Sequence, residues 1–399
     1  MSHTPDDNSH YLWNNRSMIR DRFQHFNSGR VNFFLLAVIT TILFGAVLKI
    51  TSSVVLPFTV SVLLALVTNP LVKFLVKIHI PRALSIFVIL FLLLGALFSV
   101  GMVIYSSGRT ILTVYPKYEA RLTEIYIWIA RIFELPYDEH LSILDNLWGQ
   151  IGIRSRIRVM TLSFTNAFIS FLKDAVMVAI FMVFLLFEAS FFKQKLDKAF
   201  EGTGANKIKK ISTDIMTQVS RYLSIKFFIS VANGIIMAAG LMIIGVEFAV
   251  VWGIIQFIAN FIPNIGSIVV GLAATAFSLV QFWPNPAPVV ATALVILGMN
   301  MVLSYFVDPK IMGDNLGLSP LIILISLLIW GWIWGFVGLI LAVPMMVIIK
   351  IVCENIPMLE PISILLGSRK AITAAASKED PINTEEKKNE ETASSVISS

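Results

Sequence analysis

Residues 248–283 read FAVVWGIIQFIANFIPNIGSIVVGLAATAFSLVQFW, an apolar block of 36 positions. As one helix it would run roughly 54 Å, against a hydrocarbon core of about 30 Å. It is too long for a single crossing and short for two crossings with a loop. Its middle holds Asn260-Phe261-Ile262-Pro263-Asn264-Ile265-Gly266-Ser267, where proline, glycine and amide side chains stop a helix and let it restart. The reading is a re-entrant or steeply tilted helical hairpin. Leu321 to Val352 repeats the problem over 32 residues, with Gly331-Trp332-Ile333-Trp334-Gly335 at its centre, and predicts a second hairpin. A plain kink at Pro263 and a close helix contact at Gly331-x-x-x-Gly335 are the simpler alternatives. Two breaks at corresponding places favour hairpins. Trp330, Trp332 and Trp334 read as an interfacial belt, which would put the second turn near a membrane surface.

One apolar span precedes each block, Phe227 to Ile244 before the first and Val289 to Val307 before the second. The two spans run in opposite directions, so residues 227–352 read as span-plus-hairpin twice, an inverted-topology repeat of the kind that supports alternating access. Backbone groups bared at a break must be buried in protein or line a wet cavity. The breaks are therefore where a solute should bind.

The rest of the chain fits a protein whose solvent is mostly lipid. Of 399 residues 56% are hydrophobic and 14% charged, where soluble domains run about 45–50% and about 25%. The mean hydropathy is +0.80. Further apolar runs at Val31 to Leu48, Val54 to Val67, Ala83 to Tyr105 and Thr161 to Phe187 complete eight blocks. The fold class is all-α, a polytopic membrane protein of about eight transmembrane segments with two interrupted hairpins in a C-terminal inverted repeat. The first run lies behind Arg16, Arg20, Arg22 and Arg30 with no small-residue cleavage site after it, and reads as an anchor.

Basic residues at span ends put residues 1–30, the loop with Lys73, Lys77 and Arg82, and the basic segment 188–226 on the cytoplasmic side. Both termini are then cytoplasmic. By alternation the polar arm 106–160 lies outside, although Arg154, Arg156 and Arg158 argue against it. Leu122, Ile125, Ile129, Ile132 and Phe133 recur at helical spacing between Pro116 and Pro136, an amphipathic helix expected to pack on a partner around Leu141 to Ile151 or to cover the transport path or join subunits. Residues 353–399 form a C-terminal tail expected to be largely disordered. The lysines at 193, 195, 198, 207, 209 and 210 suit anionic lipid headgroups rather than nucleic acid, since no stacking aromatics alternate with them.

Enzyme chemistry finds no footing. The Walker, HExxH and GxSxG patterns are absent, the five histidines lack ligand spacing, and Cys353 is the only cysteine, so no metal or other cofactor is expected. Amides and hydroxyls inside the apolar runs are the candidate binding groups, because they serve a neutral polyol without the desolvation cost of a charge. The substrate-binding set is Gln256, Asn260, Pro263, Asn264, Gly266, Ser267 and Asn300, with Asn233 and Ser304 as further polar positions. Each taken singly also suits plain helix packing. For ion coupling the candidates are Asp174, which stands beside Lys173 at the outer end of its span or deeper, and Asp308, a span-end residue that could equally brace the helix.

Pro263-Asn264-Ile265-Gly266-Ser267, Asp308-Pro309-Lys310-Ile311-Met312-Gly313, Leu318-Ser319-Pro320, Trp334-Gly335, Gly338 and Ala342-Val343-Pro344 together resemble the signature of the AI-2E (autoinducer-2 exporter) family. The likeness covers roughly Val31 to Val352. It implies a multi-pass transporter of the bacterial inner membrane with eight transmembrane segments and a homo-oligomeric assembly. The family's named substrate is a small, polar, sugar-like quorum signal, and other relatives are linked to sodium–proton exchange. Partners are then the lipid bilayer, a small polar solute and further copies of the chain. The leading expectation is export of such a metabolite by alternating access, ahead of cation–proton antiport and of a non-transporting membrane scaffold.

Overall fold

Hydrocarbon offers backbone N–H and C=O groups no partner, so apolar sequence of this length must close its hydrogen bonds within itself. The computed structural model describes residues 28–133, 153–199, 205–263, 265–303 and 317–368, and among them the regular elements are helices, apart from one isolated bridge between Leu318 and Gly367. In chain order they are α1 (Ser28–Ile50), α2 (Ser52–Lys77), α3 (Arg82–Ile132), α4 (Ile153–Ala199), α5 (Ala205–Ile244), α6 (Ala249–Ala259), α7 (Ile265–Phe282), α8 (Pro286–Asn300), α9 (Pro320–Asn355) and α10 (Glu360–Leu366). Seven helices among the described residues are long and apolar enough to cross a membrane, and two shorter apolar stretches, Leu35–Ile50 and Ala249–Ala259, are not. The protein is an all-α, polytopic membrane protein. The first apolar run forms α1, a helix of 23 residues.

The chain falls into two units, Met1–Val55 and Leu56–Ser399. In the first, the Thr41 hydroxyl donates to the Ala37 carbonyl one turn back at 2.8 Å, which satisfies it without a second helix. In the second, two apolar clusters organise the helices. Ala65 and Val72 of α2, Ile86 and Ile89 of α3 and Met182 and Leu186 of α4 form one, braced by Arg82 donating to the Leu186 carbonyl at 2.9 Å. Met237 and Leu241 of α5, Val270 and Ala274 of α7 and Ile296 and Met299 of α8 belong to the other.

Several expectations need correction. Pro116 does not bound a separate arm helix. α3 runs through it without a break for 51 residues, roughly 75 Å, so the arm prolongs a membrane span. At the end of its aliphatic stripe Ile132 and Phe133 are 53% and 70% exposed. The arm packs through aromatic rings, with Tyr118 5.3 Å from Phe277 and Trp128 5.3 Å from Trp283. Its expected partner at 141–151 lies outside the described residues, as does the tail beyond 368. The tryptophan belt fails for two of its three members. Trp330 and Trp334 are buried against each other, with ring centroids 5.0 Å apart, and only Trp332 points outward. The helical period explains this, since positions four apart share a face and position 332 falls opposite. Part of the basic segment is helix too: α5 begins at Ala205, carries Lys207, Lys209 and Lys210, and buries Lys226.

Candidate functional site

α5 and α6 run back to back because their contact face is nearly bare of side chains. A methyl on Gly234 would meet the Gly253 carbonyl oxygen at 2.7 Å, and one on Gly253 would meet the Gly234 oxygen at 2.5 Å. α6 ends after 11 residues, roughly 16 Å or half a bilayer core. Pro263 carries no N–H and restricts the residue before it, which favours a stop at this point. The Ile262 amide turns back to the Ala259 carbonyl at 2.9 Å, and α7 starts at Ile265. The restart is so tight that a Cβ on Gly266 would lie 1.8 Å from the Ala259 oxygen, which only glycine permits.

Four buried side chains bridge this interruption. The Asn260 amide donates to Ser230 Oγ of α5 at 2.9 Å, Ser267 Oγ donates to Asn260 Oδ1 at 3.1 Å, and Gln256 Nε2 donates to Ser267 Oγ at 2.9 Å. All are at most 6% exposed. The relay fastens the last turn of α6 and the first turn of α7 to α5. Two acceptors beside it have no donor: Asn233 Oδ1 and Gln256 Oε1 are buried and unbonded. Asn233 uses its other amide atom, donating to the Ile229 carbonyl at 3.2 Å.

Of the sequence candidates, Gln256, Asn260 and Ser267 therefore meet in one relay, with Pro263 and Gly266 forming the turn that brings them together. Asn300 of α8 lies further along α7, where a methyl on Gly271 would come within 3.9 Å of its Nδ2, and its Oδ1 is also buried and unbonded. Asp174 is exposed on the surface of α4. Asn264, Ser304 and Asp308 lie outside the described residues. Sequence reasoning missed Ser230 and Lys226. The signal was available: Lys226, Ser230 and Asn233 fall at i, i+4 and i+7, one face of a helix.

A second reversal lies within α9. Gly335 takes φ +61° and ψ −138°, a conformation open to glycine. Ser326 Oγ then donates to the Ala342 carbonyl at 2.8 Å, sixteen residues on, where an unbroken helix would separate them by about 24 Å. A Cβ on Gly338 would lie 1.9 Å from the Trp330 oxygen.

At the far end of α6 and α7 the arm clasps the turn after α5. Lys117 Nζ lies 2.5 Å from Glu247, the Tyr118 hydroxyl donates to the same carboxylate, the Glu247 amide donates to Gln281 Oε1 at 2.8 Å, and Gln281 returns a bond to the Gly245 carbonyl at 2.8 Å. Burial pushes the Glu247 carboxyl up, but the bonds from Lys117 and Tyr118 outweigh it and hold the group below its ordinary value. Burial and the adjacent carboxylate push the Tyr118 phenol above its own.

Helices long enough to cross a bilayer, an apolar exterior and a buried polar relay at an interruption define a multi-pass membrane protein. Residues 34–358 match the family model described as "AI-2E family transporter", and the chain belongs to that family. That makes it a multi-pass protein of the bacterial inner membrane. It is 29% identical to a "Putative transport protein" of Borreliella burgdorferi over 86% of this chain and 93% of the relative. It is 27% identical to the AI-2 transport protein TqsA of Escherichia coli over 84% of this chain and 94% of that protein. A sodium-lithium/proton antiporter of Halobacillus andaensis is 30% identical over 49% of this chain and 53% of its own length.

Proposed function

We propose that this chain exports a small polar metabolite by alternating access, with an autoinducer-2-like quorum signal as the first solute to test, and that residues 227–352 form its transport core as two inverted span-plus-hairpin units. The observation that carries the reading is the buried relay from Ser230 through Asn260 and Ser267 to Gln256 at the interruption between α6 and α7. The reversal at Gly335, at the corresponding place in the second unit, supports the repeat. The solute would bind against Gln256, Asn260 and Ser267 around the Pro263–Gly266 turn, with Asn264 and Asn300 as further groups. TqsA, similar over most of both chains, is described as transporting AI-2. We place both termini in the cytoplasm and expect a homo-oligomer.

Flux in proteoliposomes tests this. Autoinducer-2, D-ribose and erythritol should move faster through loaded than through empty vesicles, and Asn260→Ala should slow them at least tenfold. Equal flux of all three in loaded and empty vesicles sinks the proposal. Cation–proton antiport is the second reading, favoured by the Halobacillus relative. Sodium-driven proton movement that vanishes in Asp174→Asn or Asp308→Asn would establish it instead.

A further inference from the structure

Asn233 and Gln256 lie at neighbouring levels beside the α5–α6 contact. The helices are antiparallel, and two contacts fix their register: Gly234 against Gly253, and Ser230 bonded to Asn260 at 2.9 Å. Asn233 and Gln256 fall in the layers between those two contacts, and both side chains are 0% exposed. Each keeps one carbonyl oxygen that no donor reaches. Turning over either amide alone does not cure this. Asn233 Nδ2 already serves the Ile229 carbonyl, so a flip would set oxygen against oxygen. With the relay running from Gln256 to Ser230, Ser267 gives its one hydrogen to Asn260, and Gln256 offers Ser267 its nitrogen and keeps its oxygen spare. Buried acceptors left bare are costly, and a fold retains them where something else supplies the donor.

We propose that Asn233 Oδ1 and Gln256 Oε1 are a donor-reading subsite for the hydroxyl hydrogens of an uncharged, polyhydroxylated solute; this deepens the transport reading and rests on it. Two buried acceptors at neighbouring levels take two O–H groups and reject a solute that can only accept. A metal cation would also suit carbonyl oxygens, but α6 and α7 carry no acidic residue to balance its charge.

The test replaces the acceptor in the intact protein and reads stability and flux together. Asn233→Leu is isosteric and removes the bare oxygen, and Asn233→Ala removes it without added bulk. The probe is whichever of autoinducer-2, D-ribose and erythritol moves fastest through wild type, alongside fully O-methylated ribose, which has no donor. Expected are an unchanged or higher Tm in both variants, a flux lower by at least tenfold, and no wild-type flux of the methylated sugar. A purely structural amide would move Tm and leave flux per folded molecule alone, which overturns the subsite while the transport reading stands. Loss of folded protein in both variants makes Asn233 a packing residue and also overturns it. Flux of 22Na+ through wild type in place of the probes overturns the ligand class. Silence of wild type towards every solute sinks the transport reading itself.

Discussion

The reversals at Pro263 and Gly335 share a steric device and differ in what holds them. In each, a glycine early in the returning arm presses on a carbonyl late in the outgoing one, Gly266 on Ala259 and Gly338 on Trp330. The first is then fastened by side-chain hydrogen bonds to a neighbouring helix, Asn260 to Ser230 among them. The second has one hydrogen bond across it, from Ser326 to a backbone oxygen, while the buried indoles of Trp330 and Trp334 pack one turn apart on its outgoing arm. A hydrogen-bonded seam can exchange partners with a polar solute at little net change in energy. Indoles buried on one arm offer a solute no such exchange, and moving them out leaves a void. Within the proposed mechanism the first hairpin is the part that recognises cargo, and the second is its brace.

The shared device should produce the largest effect. Valine at position 266 or 338 sets a carbon 1.8 or 1.9 Å from a backbone oxygen that no rotamer change can relieve, a strain on the order of 3 kcal/mol or more. Gly266→Val and Gly338→Val should each abolish the monodisperse peak in size-exclusion chromatography. A well-folded Gly338→Val would show that the two tips are not built alike.

The next comparison separates seam from brace. Trp334→Ala empties a buried site, which costs about 3–5 kcal/mol in soluble cores, and should lower Tm strongly while leaving flux per folded molecule near wild type. Ser267→Ala removes two hydrogen bonds worth about 0.6 kcal/mol each in membrane helices, so Tm should fall slightly and flux by about tenfold. The reverse pattern would exchange the roles of the two hairpins.

How much of this could be read from sequence follows from the same contrast. A proline between amides announces its own break, so the Asn260–Ser267 interruption was legible residue by residue. At the second site only the window 331–335 could be named, because one glycine among tryptophans looks the same in an intact helix and in a turn. Belt logic misplaced Trp330 and Trp334 because aromatic residues suit both an interface and a core. Ser230 was overlooked although it shares a helix face with Asn233, because a single hydroxyl on an apolar span marks a site only when that face is read as a whole. Lys226 was assigned to a loop because charge was used to end the span, whereas a lysine buried among helices can lie inside one. The arm misled for a simpler reason: beyond the bilayer a helix can pass a proline such as Pro116 and still hydrate the carbonyl it bares.

The smallest effect should come from the clasp at the other end of the first hairpin. Glu247 has its carboxyl held below the ordinary 4.5. A depressed carboxyl contributes stability above its unfolded value and loses it as pH falls through the folded one. The clasp should therefore stay shut from neutral pH down to about 4.5 and open only in stronger acid. Hydrogen exchange across residues 112–132 reads this directly, and Glu247→Gln should raise exchange there at pH 7 with little change in Tm, since Lys117 and Glu247 are half and one-third exposed. Alkali should not mimic acid through the phenol, because Tyr118 holds its proton beyond the ordinary 10.0. An arm that loosens equally at both ends of the pH range would mean that ring packing against Phe277, rather than the carboxylate, fixes it to the first hairpin.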